Sequence, residues 1–185
     1  MKVTRTELDG VLLVETRVFG DNRGYFFESY NASRYQSAGI DCDFIQDNIS
    51  FSNAGVIRGL HCQYPTMQAK LIQVLDGAVL DVAVDIRRGS PTFGNWTGEI
   101  LSSENRRQLF IPAGFAHGFA VIGERALVSY KCSARYDPSS EVTIRWDDPE
   151  IGVDWAVINP TVSEKDQAGL LLSDLPSNRL PVYEL

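Results

Sequence analysis

The sequence predicts an all-β chain folded as an antiparallel barrel or sandwich with a few short helices, and three observations lead there. Strand-like runs are short and numerous, turn residues punctuate them closely, and only two segments have helical patterning. The strands are expected at 11–15, 25–29, 44–51, 56–61, 70–75, 78–86, 96–101, 108–111, 119–122, 126–132 and 142–146. Between them stand Asp21-Asn22-Arg23-Gly24, Asp76-Gly77, Arg88-Gly89-Ser90-Pro91, Pro112-Ala113-Gly114 and Asp137-Pro138, all turn-forming chemistry. Strands at this spacing need a closed or doubled sheet to protect their edges. The helical segments are 31–38, ended by Gly39, and a capped turn opening at Ser163-Glu164-Lys165-Asp166.

At 185 residues and 44% apolar content, the chain is expected to form one domain over residues 1–185 with a sizeable core. A net charge of -7 argues against a nucleic-acid surface, which needs a basic stripe. It leaves room for a phosphorylated small molecule, because a few converging cations set the local field. The apolar runs are far too short to cross a membrane, and no apolar stretch follows Met1-Lys2-Val3-Thr4-Arg5. Cys42, Cys62 and Cys132 have no CxxC spacing and read as reduced thiols of a cytoplasmic protein.

Two strands carry unusual faces. In 44–52 one face holds Ile45, Ile49 and Phe51, interrupted by Asp47, and the other holds Gln46, Asn48, Ser50 and Ser52. Either the polar face is solvated and the apolar one packs inside, or the polar face lines a ligand cavity. The strand 126–132 puts Val128, Tyr130 and Cys132 on one face, where a tyrosine needs a hydroxyl partner or a chemical role.

The chain has two histidines, His61 and His117, both in glycine-rich polar settings. Histidine is the default general base near neutral pH. Strict alternation puts Arg58 and His61 on opposite faces, and a bulge at Gly59 between them would turn both the same way. Pro112-x-Gly114-x-x-His117 resembles the second motif of the cupin superfamily, which implies a cupin-type jelly roll. The cupin metal motif is incomplete: His61-Cys62-Gln63 has glutamine where a second histidine is expected, and no glutamate follows in Tyr64-Pro65-Thr66-Met67-Gln68. No metal is expected.

Over nearly the whole length, ordered motifs resemble the dTDP-4-dehydrorhamnose 3,5-epimerase family. They include Phe19-x-Asp21-x-Arg23-Gly24-x-Phe26-x-Glu28, Gln46-Asp47-Asn48-x-Ser50, Arg58-Gly59-Leu60-His61-x-Gln63 and Gln68-x-Lys70-Leu71. Further on come Asp81-Val82-x-Val84-Asp85-x-Arg87, Ser90-Pro91-Thr92-Phe93-Gly94, Tyr130-Lys131-Cys132, Tyr136 and Trp146-Asp147-Asp148-Pro149. Cys62 departs from the pattern, since an aromatic is common there. The resemblance implies an isomerase acting on a dTDP-linked 4-keto-6-deoxyhexose, inverting C3 and C5. Hydrogens at both carbons flank the ketone, so their loss gives an enolate with its charge on O4. In this reading His61 is the base, Asp166 orients it, Tyr130 is the acid, and Lys70 meets O4 with His117 nearby. Lys70 would also ease the loss of the Tyr130 proton. Asp81 is a candidate for orienting His117. The resemblance further implies substrate contacts at Phe19, Arg23, Glu28, Gln46, Asn48, Arg58, Tyr136, Glu141 and Lys165, with Tyr136 stacking on the nucleotide. It also implies a homodimer whose N-terminal strands reach the partner. No cofactor is expected, since no hydride moves and no strand-linked GxGxxG occurs. The rival readings are a single-position epimerase or 3,4-ketoisomerase, a metal-dependent oxygenase, and a sugar-binding cupin without catalysis.

Overall fold

The computed structural model describes residues 1–183. Its strands in chain order are β1 (Lys2–Arg5), β2 (Leu12–Glu15), β3 (Val18–Asp21), β4 (Gly24–Phe27), β5 (Gln46–Asn53) and β6 (Val56–Gln63). They continue as β7 (Lys70–Asp85), β8 (Trp96–Ser102), β9 (Arg107–Ile111), β10 (Phe115–Cys132), β11 (Glu141–Thr143) and β12 (Thr161–Val162). Helix α1 (Ala32–Ser37) follows β4, and α2 (Glu164–Gln167) follows β12. No helix of the described residues is long and apolar enough to cross a membrane.

A ten-stranded sheet runs β1-β2-β9-β7-β10-β6-β11, with β5 added to β10, β8 to β7 and β12 to β6. The β3–β4 hairpin stands apart as its own two-stranded sheet. The long strands β7 and β10 change partners midway. Residues 70–73 of β7 pair with β9, and 78–84 pair with β8. Residues 117–120 of β10 pair with β6, and 125–132 pair with β5. The two halves of each long strand therefore belong to two layers that face each other, as the predicted jelly roll requires.

Here the structure corrects the sequence reading. Asp76-Gly77 is not a turn between two strands, and 119–122 and 126–132 are one strand. The pairing of β7 with β10 shifts register between Val121 and Ala126, so the ladder bends without breaking. Gly77 (φ +79°) allows the bend, because a Cβ there would lie 1.8 Å from the Arg125 carbonyl oxygen. The last predicted strand also ends early, at Thr143. Beyond it Asp148 gathers the chain into a loop, accepting from Glu150 N–H at 2.9 Å and Leu172 N–H at 2.7 Å. Strands β1, β3 and β12 lie outside the predicted strand ranges.

Alternation along the strands sorts the apolar residues into three clusters. Ile72, Val74, Val79, Ala83, Leu101, Leu109, Phe115, Phe119 and Val128 fill the space between the layers. Ile57, Leu60, Val82, Val84 and Ala116 face outward and are covered by Trp155, Leu172 and Leu180 from the C-terminal segment. Val14, Leu71 and Phe110 are covered by Tyr35 of α1 and Ile40. Asn31 caps α1 by accepting from Arg34 N–H.

Candidate active site

The inter-layer space is apolar at one end and polar at the other. On β5 the polar face is the inward one: Gln46, Asn48, Ser50 and Ser52 sit opposite Cys132, Tyr130, Val128 and Ala126 of β10. The apolar face is left outside, with Ile45, Ile49 and Phe51 exposed. The cavity alternative for this strand is the one the structure adopts. A cleft of about 240 Å³ opens there, lined by Gln46, Asn48, His61, Cys62, Gln63, Gln68, Lys70, Tyr130, Cys132, Tyr136 and Glu141.

The bulge at Gly59 is present. His61 pairs with His117, yet Arg58 pairs with Phe119, so Gly59 and Leu60 together stand opposite Gly118. Arg58 and His61 thereby share the inward face. Gly59 (φ +129°) is required, since a Cβ would meet Gly118 Cα at 2.5 Å and the His117 carbonyl oxygen at 2.9 Å.

Each histidine has its own carboxylate. His61 Nε2 and Asp166 Oδ1 are 2.5 Å apart, with the Asp166 side chain buried. The Ser163 hydroxyl caps α2 by accepting from Asp166 N–H at 3.1 Å, and Gly59 N–H donates to Asp166 Oδ2 at 3.4 Å. Burial alone would raise the Asp166 pKa; the hydrogen bond and charge of His61 outweigh it and hold the carboxyl below its ordinary range. In the neutral tautomer that donates Nε2–H to Asp166, the ring's lone pair is on Nδ1. Deeper in the fold, His117 Nε2 lies 3.0 Å from Asp81 Oδ2, as the sequence reading allowed. Burial pushes the His117 pKa down, and Lys70 and His61 add to that, against the pull of Asp81.

Lys70 enters the cleft from β7 beside Cys132 of β10. Its pKa is lowered by burial, partly offset by Cys132, Cys62, Asp81 and Glu141. Among the described residues its ammonium has no hydrogen-bond partner, so it is free to meet an anion. The Tyr130 hydroxyl likewise has no partner among the described residues, and burial raises its pKa. The cation that opposes this rise is Arg58, not Lys70 as the sequence reading had it. Arg58 is held by Nε–H to Ser52 Oγ at 2.9 Å and by Nη2 to the Phe51 carbonyl at 3.1 Å.

At the mouth, the Tyr136 hydroxyl donates to Glu141 Oε2 at 3.0 Å, and Lys165 Nζ pairs with Glu141 Oε1. Phe19, Arg23 and Glu28 are not part of this cleft. They lie on or beside the exposed hairpin, where Arg23 pairs with Asp21 and Glu28 with Arg34. Sequence reasoning did not count Gln63, Gln68 or Cys132 among the site residues, although all three line the cleft. Alternation was a sufficient signal for two of them, since Gln63 is two residues from His61 and Cys132 two from Tyr130.

The family model described as dTDP-4-dehydrorhamnose 3,5-epimerase matches residues 5–174. A protein of that name from Pseudomonas aeruginosa is 52% identical over 176 residues, covering 94% of this chain and 97% of the relative. The crystal structure of dTDP-6-deoxy-D-glucose-3,5-epimerase from Legionella pneumophila Philadelphia 1, in complex with dTDP-4-keto-L-rhamnose, superposes with a TM-score of 0.97 at 47% identity, covering 100% and 99% of the two chains. A 3'-monoepimerase from Streptomyces bikiniensis, in complex with dTDP-quinovose, superposes with a TM-score of 0.88 at 31% identity, covering 96% of this chain and 92% of that one. A cleft that gathers a carboxylate-held imidazole, an ammonium and a phenol, on a scaffold matched from end to end, leads to one assignment: the chain belongs to the dTDP-4-dehydrorhamnose 3,5-epimerase family.

Proposed function

We propose that this chain is an isomerase converting dTDP-4-dehydro-6-deoxy-D-glucose to dTDP-4-dehydro-L-rhamnose by inverting C3 and C5. The observation that carries this reading is the joint exposure of His61, Lys70 and Tyr130 to one cleft, with Asp166 locked behind His61.

His61 removes the hydrogen next to the ketone. The C–H bond breaks, its electron pair becomes the enolate, and the negative charge rests on O4. Lys70 stabilises that oxygen, with His117 behind it. Tyr130 then protonates the same carbon from the opposite face, and the phenolate and imidazolium exchange protons with solvent. The second carbon repeats the cycle. A positioned base or acid contributes about 10²–10⁴-fold in rate, and one donor at the oxyanion about 10²–10³-fold. No hydride moves, so no redox cofactor is needed.

The donor chemistry also favours catalysis without a metal. His61 and His117 are held by two separate carboxylates, and Gln63 stands where the cupin pattern has a ligand, its amide engaged by loop backbone. Arg58, Asn48 and Gln46 line the route to the diphosphate and nucleoside, Tyr136 offers a stacking face, and Glu141 and Lys165 flank it. Phe19, Arg23 and Glu28 reach a site in this reading only through a second copy of the chain. The exposed outer face of β5, with Ile49 at 67% and Phe51 at 54%, and the exposed hairpin support a homodimer. The free thiols of Cys42, Cys62 and Cys132 fit the cytoplasm.

The test is proton NMR of the protein with dTDP-4-keto-6-deoxyglucose in heavy water. Deuterium entering at both C3 and C5 is the expected result. Label at one carbon alone would make the chain a single-position epimerase, and no label would reduce it to a binding protein.

A further inference from the structure

Three glutamine side chains converge on four consecutive residues of the loop between β10 and β11. Gln68 Nε2 donates to the Ala134 carbonyl at 2.7 Å, and Gln63 Nε2 to the Arg135 carbonyl at 3.3 Å. Gln46 Oε1 accepts from Tyr136 N–H at 2.9 Å, and Gln63 Oε1 accepts from Asp137 N–H at 2.9 Å. Gln63 also donates to the Thr66 carbonyl at 2.8 Å, so it ties the β6–β7 loop to the same rim. It is buried, and both ends of its amide are used. All three glutamines line the cleft.

We infer that Gln63 and Gln68 are positioning residues that hold the Tyr136 ring where it receives the nucleobase. This rests on the proposed dTDP-sugar function. The physical reason is local. Tyr136 is itself half exposed, and its ring has no apolar packing to fix it among the clusters of the core. A stacking platform loses little rotational freedom on binding only if its backbone is already fixed. Four side-chain hydrogen bonds to residues 134–137 supply that fixing where no β-ladder does. The bridging amide cannot be replaced by an apolar group of the same size, because the Arg135 carbonyl and Asp137 N–H would lose their partner. Gln63 thus occupies a metal-ligand position of the cupin pattern and serves the nucleotide end of the substrate instead.

The test uses the full chain with Gln63→Leu, Gln68→Ala, Tyr136→Ala and the double variant Gln63→Leu/Tyr136→Ala. Two measurements are made: hydrogen exchange of the Tyr136 and Asp137 amides, and dTDP affinity by calorimetry beside steady-state epimerisation. Gln63→Leu should speed exchange at both amides, weaken dTDP about tenfold and raise KM similarly. Its kcat should stay within about twofold of the parent. In the Tyr136→Ala background it should change dTDP affinity hardly at all. Unchanged amide exchange overturns the inference. So do additive effects on affinity, or a loss confined to kcat. If Gln63→Leu does not fold, Gln68→Ala, which removes a single rim bond, is read by the same criteria. Failure of the parent to bind dTDP would refute the functional reading and the affinity role together, whereas parental binding with unaltered variants refutes the clamp alone.

Discussion

At the scale of single residues, the two ends of the proton path make separable predictions. Asp166 is buried behind His61 and supported by Gly59 N–H and the Ser163 cap, so its task is to fix the imidazole tautomer and stabilise the imidazolium. Asp166→Asn should lower kcat by about 10²–10⁴-fold and leave dTDP affinity intact, as stopped-assay rates and calorimetry would reveal. An unaltered kcat would remove Asp166 from the mechanism. Lys70 gives a pH prediction. Burial disfavours its charged form, so its pKa lies below the ordinary lysine value of 10.5. The charged form is the one that stabilises O4. As pH rises through this lowered pKa the ammonium is lost, and kcat should fall on the alkaline side before pH 10.5. Lys70→Met should remove that limb and lower kcat throughout by about 10²–10³-fold, and a pH–rate profile that keeps the limb in the variant would assign it elsewhere.

At the scale of elements, the bulge in β6 is what turns a strand into a site. Gly59→Ala would drive a methyl into backbone atoms of Gly118 and His117 at a positive φ that alanine rarely adopts. We expect a loss of at least about 2 kcal/mol in denaturant unfolding, together with activity, and a fully stable, active variant would contradict the geometry. The rim loop has its own acid sensitivity. Hydrogen bonds from the Ser140 and Ser139 hydroxyls lead the causes that bring the Asp137 pKa from 3.8 down to about 2. A carboxyl with a depressed folded-state pKa stabilises above its unfolded value and ceases to do so as pH falls through the folded one. The melting-temperature gap between the parent and Asp137→Asn should therefore hold steady above pH 3.8 and close as pH approaches about 2. These elements also show how far the sequence carries. Alternation exposed the polar face of β5 and the Tyr130–Cys132 pair, and a glycine between Arg58 and His61 signalled the bulge, because these features depend on neighbours in the chain. The single course of β7 through Asp76-Gly77 was not legible, since that dipeptide turns a hairpin or bends a ladder according to what lies opposite. The glutamine contacts at 134–137 were hidden for a similar reason. Their partners are backbone groups, which no residue pattern marks, and the glutamines reach them from about 65 to 90 positions away.

At the scale of the whole molecule, the residues expected to bind substrate fall into two groups that one chain does not unite. Gln46, Asn48, Lys70, Tyr130, Tyr136 and Glu141 line the cleft, whereas Phe19, Arg23 and Glu28 belong to the exposed hairpin and its flank. The proposed homodimer resolves this if each hairpin serves the cleft of the other copy, and that arrangement has a quantitative signature. Take His61→Ala, which keeps Arg23 but lacks the base, and Arg23→Ala, which keeps the base but lacks the arginine. Each homodimer is defective. In a mixed dimer, one cleft combines His61 of one chain with Arg23 of the other and is whole, while the second cleft lacks both. Unfolding and refolding an equal mixture makes half of the dimers mixed, each with one whole cleft of two, so about a quarter of the parental activity should return. If Arg23 acts within its own chain, no cleft regains both groups and the mixture stays at the mean of the two variants. The surface that joins the copies can be probed alongside. Phe51→Glu places a charge on the exposed outer face of β5, remote from the inward polar face that lines the cleft. It should yield monomers by sedimentation that keep the His61–Asp166 pair yet epimerise poorly, because the hairpin no longer reaches its cleft. Fully active monomers would show that one chain suffices and that no partner hairpin takes part in binding.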